Sequence, residues 1–191
     1  MTCSAMIVAC SCVLTLAVGS LAAHATAPSP AEPATWITND IEINLQNLPK
    51  LYTCDDLWYK VHGVLLAIGA RKYMAITPYN CGARAPGGGR SPTVDVRFQT
   101  LRVLRGAEIR WAQTNAIERT VRLAPGEPNK LDASDCALLS QLNATLFPYL
   151  GIHIVAASLE CSSPQAARKF SVAVDTLLPV PITAPGAHRR T

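Results

Sequence analysis

Few residues of this chain have the types and spacing that catalysis requires. The body of the chain has two histidines, His62 and His153, and one pair of adjacent carboxylates, Asp55 and Asp56. These groups could act as general acids or bases, but the chain has no nucleophile elbow, no HExxH pair and no calcium-binding loop. We therefore expect a protein that is not an enzyme and that uses no cofactor and no metal. The alternative is an envelope hydrolase built around these four residues.

Basic residues in two predicted hairpin loops are the strongest candidates for ligand binding. Arg84 and Arg90 lie in the first loop, and Arg168 and Lys169 lie in the second. Arginine binds phosphate and carboxylate groups through forked hydrogen bonds. We expect these four residues to bind an anionic component of the cell envelope or a protein partner.

Two observations limit this interpretation of the loops. No aromatic residue lies between the loop arginines, so no specific nucleic-acid binding is expected. The glycine run before Arg90 lacks the Gly-Lys-Ser/Thr ending of a phosphate-binding loop, and we interpret it as a hairpin tip. The alternative is a solvated surface, with Arg84 or Arg90 paired to Asp55 or Asp56. Further arginines of the same positive run are Arg97, Arg102, Arg105 and Arg110.

The composition excludes several classes of protein. The chain has 191 residues, of which 49% are hydrophobic and 16% are charged, with a formal net charge of +4. A disordered chain would lack this much apolar sequence, and the charge is too small to indicate a dedicated nucleic-acid-binding protein. Collagen-like and multi-span membrane proteins are excluded as well. The length corresponds to one domain or two small ones.

Residues 1–25 have the features of a secretory signal peptide. Residues 5–23 are uncharged and mostly apolar, and Ala23-His24-Ala25 fits the small-x-small cleavage pattern. No Lys or Arg precedes the apolar run, which leaves the alternative of an uncleaved anchor, since a run of this length nearly spans a bilayer. We expect a cleaved signal and a periplasmic or secreted protein.

Cysteine usage agrees with export. Three of the seven cysteines lie in the predicted signal, and the other four are Cys54, Cys81, Cys136 and Cys161. An even number of cysteines in an exported chain favours disulfides. None of the four stands two to four residues from another, as zinc ligands often do. The alternative is four free thiols in a reducing compartment.

A repeated pattern divides the rest of the chain into two units. Thr-Asn-x-Ile-Glu occurs at residues 38–42 and again at 114–118. In each unit a cysteine is followed fifteen residues later by a glycine, in the pairs Cys54–Gly69 and Cys136–Gly151. A second cysteine, a polar loop and an alternating strand pattern then follow in the same order. We interpret this pattern as a tandem duplication of one unit.

Each unit is predicted to form a strand, a helix and two further strands. The first helix follows Thr53, a predicted N-cap, and ends at Gly69; the second begins near Asp135 and ends near Pro148. The strand after each helix returns antiparallel to it, which brings the closing cysteine back to the helix start. This geometry predicts one disulfide per unit, Cys54–Cys81 and Cys136–Cys161. The residues predicted to lie in the core or at the seam between units include Trp36, Trp58, Tyr59 and Trp111.

The predicted fold is α+β, with two helices packed on one face of a largely antiparallel six-stranded sheet. The predicted boundaries are a signal at 1–25, a Pro-rich disordered linker at 26–35, units at 36–104 and 105–178, and a disordered tail at 179–191. The units are expected to share one core; two separate three-stranded domains are the alternative. The expected function is that of an exported, non-enzymatic binding or interaction protein. Besides the hydrolase, the alternative is a structural or assembly subunit that pairs through a sheet edge.

Overall fold

The computed structural model describes residues 29–46, 48–82, 91–126, 129–161 and 169–180. The elements in chain order are β1 (Glu32–Asn44), α1 (Cys54–Ala67), β2 (Ala75–Tyr79), β3 (Thr93–Val103), a 3₁₀ helix (Gly106–Trp111), β4 (Thr114–Leu123), α2 (Cys136–Tyr149), β5 (His153–Ser158) and β6 (Ser171–Pro179). The first half, from β1 to β3, and the second half, from β4 to β6, thus have the same order of strand, helix, strand, strand.

All six strands belong to one antiparallel sheet. The strand order is β2-β3-β1-β4-β6-β5, so that each half contributes its second strand to an outer edge. β1 pairs with β3 from Ala34 to Asn44 but with β4 only through Glu32–Ala34. The predicted α+β class and six-stranded antiparallel sheet are confirmed.

β1 begins earlier than the sequence predicts. Residues 32–35, which were expected in the Pro-rich linker, are its first four residues, and Pro33 is paired with Asn115 of β4. Proline lacks a backbone N–H and is tolerated near the start of a strand. The Pro33 carbonyl accepts a hydrogen bond from the Leu104 N–H (2.8 Å). The prolines of this segment therefore do not prevent strand pairing.

α1 begins with a complete capping box. The Thr53 side chain accepts a hydrogen bond from the Asp56 N–H, and the Asp56 carboxylate accepts one from the Thr53 N–H. The buried residues of the helix recur at helical spacing and include Leu57, Val61, Val64 and Leu65. The helix ends at Ala67, and Gly69 follows with a φ of 84°. Glycine tolerates this left-handed conformation, so α1 stops where the sequence predicts.

α2 begins directly after Asp135, which is fully buried. Its buried residues are Cys136, Leu138, Leu139, Leu142, Leu146 and Phe147. Pro148 lies inside the last turn, and the helix ends one residue later at Tyr149. A proline in the helix interior removes a backbone donor and prevents continuation. The predicted end of this helix is therefore accurate to within one residue.

One hydrophobic core is common to both halves. Tyr52 and Phe98 of the first half and Phe147 and Phe170 of the second are among its largest fully buried side chains. α1 contacts β4 as well as β2, and α2 contacts β1 as well as β5. A second, smaller cluster consists of Ala34, Leu101 and Ala116, with Trp36 and Leu177 packed against it. Each half therefore completes the packing of the other.

Two glycines, Gly63 within α1 and Gly69 just after it, lie close to the backbone of the second half. A Cβ atom at Gly63 would lie 2.4 Å from the Asn129 carbonyl oxygen, and one at Gly69 would lie 2.4 Å from the Leu177 carbonyl oxygen. These distances are well inside van der Waals contact. The absence of a side chain at both positions is therefore what allows the helix to pack on the backbone of the second half.

Each half contains one disulfide. Cys54 at the start of α1 is bonded to Cys81, which follows β2, and Cys136 at the start of α2 is bonded to Cys161, which follows β5. This is the pairing that the sequence predicts. In each half the chain after the helix brings the second cysteine back to the helix start.

Candidate functional site

Three of the four predicted ligand-binding residues, Arg84, Arg90 and Arg168, lie outside the described residues. Lys169 is described; it is exposed and lies two residues before β6. The two basic segments occupy equivalent places in the chain order, since one joins β2 to β3 and the other joins β5 to β6. Their binding of an anionic ligand stays a prediction.

The candidate catalytic groups of α1 take part in contacts of the helix itself. Asp56 completes the capping box, and Asp55 lies beside it in the first turn, where negative charge favours the helix dipole. The His62 ring stacks on the Trp58 ring with centroids 4.7 Å apart. These contacts account for the placement of all three groups without catalysis.

Trp58 and Tyr59 are not core residues, although Tyr59 lies at the seam, where the Lys130 Nζ of the second half is 6.0 Å from its ring centre. Their exposed fractions are 39% and 50%. Leu57 and Val61 occupy the inward face of α1, and helical geometry turns the two aromatic residues away from it. The outer face of α1 therefore presents aromatic rings to solvent.

His153 belongs to a surface cluster that spans three neighbouring strands. The Asp175 carboxylate accepts a hydrogen bond from the Thr120 hydroxyl (2.6 Å) and lies 3.2 Å from the His153 Nδ1. The hydrogen bonds from Thr120 and His153 lower the pKa of Asp175. In a catalytic triad the nucleophilic hydroxyl donates to the imidazole, whereas this hydroxyl donates to the carboxylate. The cluster therefore lacks the hydrogen-bond order by which a catalytic triad activates a nucleophile.

Aromatic and basic side chains cluster on the sheet face of the first half that lies opposite the helices. We name this cluster the Arg–Trp surface; it consists of Trp36, Arg71, Tyr73, Arg97 and Gln99. Alternate residues of a strand point to opposite faces. Arg97 and Gln99 of β3 therefore face solvent here, while Phe98 between them is buried in the core. The strand pattern thus positions the polar members of the surface.

Arg71 is held in place from two sides. Its guanidinium carbon lies 5.6 Å from the centre of the Trp36 ring, and its Nη1 donates a hydrogen bond to the Gln99 Oε1 (3.0 Å). The Arg71 backbone N–H also donates to the Gln99 carbonyl (2.9 Å), which ties this segment to β3. A guanidinium has five N–H donors, so Arg71 keeps donors for an anion while its orientation is already fixed.

A shallow groove with a volume of about 460 Å³ lies beside Arg71. Its lining includes Thr38, Tyr73, Met74, Arg97 and Gln99. Tyr73 is 84% exposed, and an exposed aromatic ring offers a flat apolar surface for stacking. The groove therefore combines a stacking surface with the positive charge of Arg97, and its lining residue Gln99 accepts a hydrogen bond from Arg71.

The charge on this face reverses farther along the same strands. In the register of β1 with β3, Arg97 lies opposite Asp40, and the next two residues on that face are Glu42 and, opposite it, Asp95. Partial loss of hydration, together with Asp95 and Glu42, raises the pKa of Tyr79. Like charges placed directly opposite each other destabilise a sheet. The positive region therefore ends at Arg97.

A second arginine–tryptophan pair lies on the 3₁₀ helix. The Arg110 guanidinium carbon lies 5.2 Å from the centre of the Trp111 ring, and Trp111 is 68% exposed. Gln113 anchors this segment to β1: its N–H donates to the Ala34 carbonyl (3.0 Å), and its Oε1 accepts from the Trp36 N–H (3.4 Å). The second pair is thus tethered to the strand that carries Trp36.

Trp36 and Trp111 are therefore not equivalent in structure. Trp36 lies within β1 and packs against the smaller hydrophobic cluster, as a seam residue would. The prediction that Trp111 is also a core or seam residue is wrong, because it ends a 3₁₀ helix that buries none of its residues. The sequence Thr-Asn-x-Ile-Glu follows both tryptophans, at residues 38–42 and 114–118, and this match concealed the difference.

A charge cluster around the buried carboxylate of Asp135 joins the two halves at the start of α2. The Asp135 carboxylate accepts a hydrogen bond from the Tyr52 hydroxyl (2.9 Å) and lies 2.7 Å from the Lys60 Nζ. Asp132 lies 2.9 Å from the same nitrogen and 3.3 Å from the Lys50 Nζ. The tyrosine and both lysines belong to the first half, and both aspartates belong to the second. The cluster is therefore an electrostatic link between the halves.

The pKa shifts in this cluster favour the charge states that hold it together. Burial, reinforced by Asp135, raises the pKa of Tyr52. Burial alone would lower the pKa of Lys60, but its hydrogen bonds to Asp135 and Asp132 outweigh that effect and raise it. Burial alone would raise the pKa of Asp132, but hydrogen bonds from Ser134 and Lys60 bring it well below its usual range. A neutral tyrosine and ionised pairs are thus stable together at neutral pH.

Sequence reasoning missed Arg71, Tyr73 and the charge cluster. The run Arg71-Lys72-Tyr73 was the available signal, since two basic residues and an aromatic residue directly precede a strand. Asp132 and Asp135 form an Asp-x-x-Asp pair just before a helix. Their partners lie some 70 to 85 residues away in the chain, so no local pattern could identify them.

In the described segments, no group of three or more His, Cys, Asp or Glu side chains is arranged to hold a metal ion. The longest helices there have 14 residues, and none has the length and hydropathy of a membrane span. Comparison of the chain with protein-family models, with curated proteins and with solved structures finds no match.

Proposed function

We propose that this is an exported, non-enzymatic binding protein that recognises an anionic polysaccharide through the Arg–Trp surface. The observation that carries the proposal is the Arg71 guanidinium, which is fixed between the Trp36 ring and Gln99 beside the exposed Tyr73. An arginine that is already oriented binds a carboxylate or sulfate group with a smaller loss of side-chain entropy. The apolar face of a sugar ring can then pack on the neighbouring aromatic ring.

The predicted loop residues Arg84, Arg90, Arg168 and Lys169 are proposed as further contacts with the same class of ligand. A polymer that carries a negative charge on each repeat can contact several basic sites at once, and each added contact increases the salt dependence of binding. The Arg110–Trp111 pair repeats the combination of guanidinium and ring that defines the Arg–Trp surface. It would extend the contact along the polymer.

Export is proposed from the two disulfides and from residues 1–25 together. Disulfides persist in oxidising compartments and are rare where thiols are kept reduced. The apolar run and the Ala23-His24-Ala25 sequence agree with a cleaved signal. An uncleaved anchor would leave the binding protein in the same compartment but attached to the membrane. N-terminal sequencing of the exported protein distinguishes the two, with Thr26 expected as the first residue.

We also propose that the two halves arose by tandem duplication of one unit. The proposal is supported by the shared order of strand, helix, strand, strand, by one disulfide in each half, and by a strand order in which each half mirrors the other. The binding surface would then be a later specialisation of the first half. The open sheet face of the second half carries Thr120, His153 and Asp175 instead.

The test is a titration with polygalacturonate, with neutral dextran as the matched control, at about 50 mM and about 200 mM salt. Binding to polygalacturonate alone, weaker at the higher salt, is expected. Arg71→Ala is expected to weaken it by about tenfold or more, the value of a lost charge-assisted hydrogen bond. Arg119→Ala is the control, because Arg119 is an exposed residue of β4 that points to the sheet face opposite the Arg–Trp surface. Equal effects of both variants, or equal binding of dextran, would refute the proposal.

A hydrolase is the second candidate, and the His153–Asp175 pair is the observation that favours it. Release of reducing ends from the same polysaccharide measures that activity directly. We expect none above background. An activity that His153→Ala abolishes and Arg119→Ala retains would replace the binding function with the hydrolase.

A further inference from the structure

A cavity lies where the C-terminal ends of the two helices meet the sheet. Its volume is about 310 Å³, at the lower end of the range for small-molecule sites. Ile68, the C-cap residue that follows α1, and Leu150, the C-cap residue that follows α2, both line it. β3 contributes Leu101 and Val103, and β6 contributes Thr176 and Leu177. The cavity is therefore built from both halves.

The helix ends give this cavity a negative potential. The C-terminus of an α-helix carries about half a negative charge, which a basic residue in the last turn commonly neutralises. Neither α1 nor α2 has a basic residue in its last turn. The Thr176 hydroxyl donates a hydrogen bond to the Ile68 carbonyl (2.6 Å), which satisfies that group without adding positive charge. Two helix C-terminal ends, neither with a basic residue in its last turn, thus converge on one cavity.

Charged side chains at the cavity add to its negative potential. Glu32 of β1 and Glu118 of β4 both line it, and Arg105 is the one basic residue of the lining. Two carboxylates and two helix ends together outweigh one guanidinium. The cavity therefore favours a positively charged ligand, the opposite preference to that of the Arg–Trp surface.

The other lining residues indicate the chemistry of the uncharged part of that ligand. Ile68, Leu101, Val103, Ile152 and Leu177 are aliphatic, and they favour a chain of methylene groups over a hydrated metal ion. We propose that the cavity binds a small aliphatic amine, and specifically a diamine, whose ammonium groups contact Glu32, Glu118 and the helix ends. This site is independent of the polysaccharide-binding function, since it uses none of the residues of the Arg–Trp surface.

The experiment is isothermal titration of the full chain with cadaverine, in parallel with pentanediol and glutarate as neutral and anionic compounds of similar length. Binding of cadaverine alone is expected. Pentanediol that binds equally well would show that charge is not recognised, and glutarate that binds better would show that Arg105 dominates. Either result would overturn the proposal, as would the absence of cadaverine binding.

Variants then locate the binding site. Glu32→Gln and Glu118→Gln remove one negative charge each at exposed positions, so both proteins are expected to fold, which thermal unfolding checks. Each is expected to weaken cadaverine binding by about tenfold. Glu160→Gln, an exposed change outside the cavity lining, is expected to have no effect. An equal loss in all three variants would assign the binding to overall charge and would refute the site. Polygalacturonate binding is expected to survive in all three, so failure of one proposal can be told from failure of the other.

Discussion

The two halves of this protein share an order of elements but differ in what their equivalent residues do. Gly69 and Gly151 both follow a helix with positive φ, yet a Cβ at Gly69 would strike the Leu177 backbone, whereas one at Gly151 would meet nothing within 4 Å. The start of α1 is capped by the exposed Thr53, while the start of α2 carries the buried Asp135. At each of these two places in the element order, one half has a residue that contacts the other half, and the other half has a residue with a local role only.

The open sheet faces differ in the same way. The first half presents two aromatic rings beside two arginines, and the second half presents a polar contact between His153 and Asp175. The two halves share an order of elements, but this order does not determine the side chains on their open faces. Side chains that point away from the shared core are free to differ between the halves.

The largest expected effect compares the two helix starts. Asp135→Ala should lower the free energy of unfolding by about 3 to 5 kcal/mol, because it leaves the largely buried Lys60 without its closest partner. Thr53→Ala removes a cap at an exposed helix start and should cost about 1 kcal/mol. Urea unfolding of both variants measures the difference. Equal losses would contradict the assignment of Asp135 to the link between halves.

The next effect compares the two glycines. Gly69→Ala places an alanine in a left-handed backbone conformation and its Cβ against the Leu177 carbonyl. It should lower the free energy of unfolding by about 3 kcal/mol or more. Gly151→Ala adds only the unfavourable conformation and should cost about 1 kcal/mol. Thermal unfolding provides the measurement. A larger loss for Gly151→Ala would mean that α2, rather than α1, has the tighter contact.

The smallest of these effects is a pH dependence of the charge cluster. The pKa of Asp132 is depressed in the folded protein, mainly by hydrogen bonds from Ser134 and Lys60 that outweigh its burial. Its contribution to stability is therefore complete above the ordinary pKa of 3.8 and is lost as the pH falls below that value. Acid unfolding of Asp132→Asn should accordingly depend less steeply on pH than that of the unchanged protein. The same dependence of stability on pH in both proteins would show that Asp132 does not contribute to the link between the halves.

Local sequence patterns predicted the elements of the first and second half well. The capping box at Thr53, the glycine after α1 and Pro148 marked the helix boundaries, because each acts on its immediate neighbours. The cysteine spacing predicted both disulfides, since it depends only on the path of the chain within one half.

The candidate site could not be predicted in the same way. The Arg–Trp surface depends on the register of β1 with β3, which brings Trp36 and Gln99 to opposite sides of Arg71. The match around Trp111 was misleading, because similar residues there begin a strand after a 3₁₀ helix. Contacts between distant segments, rather than local spacing, create this surface.

The most direct test of the binding surface is nuclear magnetic resonance of the labelled protein during titration with oligogalacturonate. The largest changes are expected at the Trp36 indole, the Gln99 side-chain amide and the backbone of Tyr73. Little change is expected at His153 and Thr120, on the open face of the second half. Changes confined to the second half, or no changes at all at a saturating concentration, would contradict the claim that the first half carries the binding site.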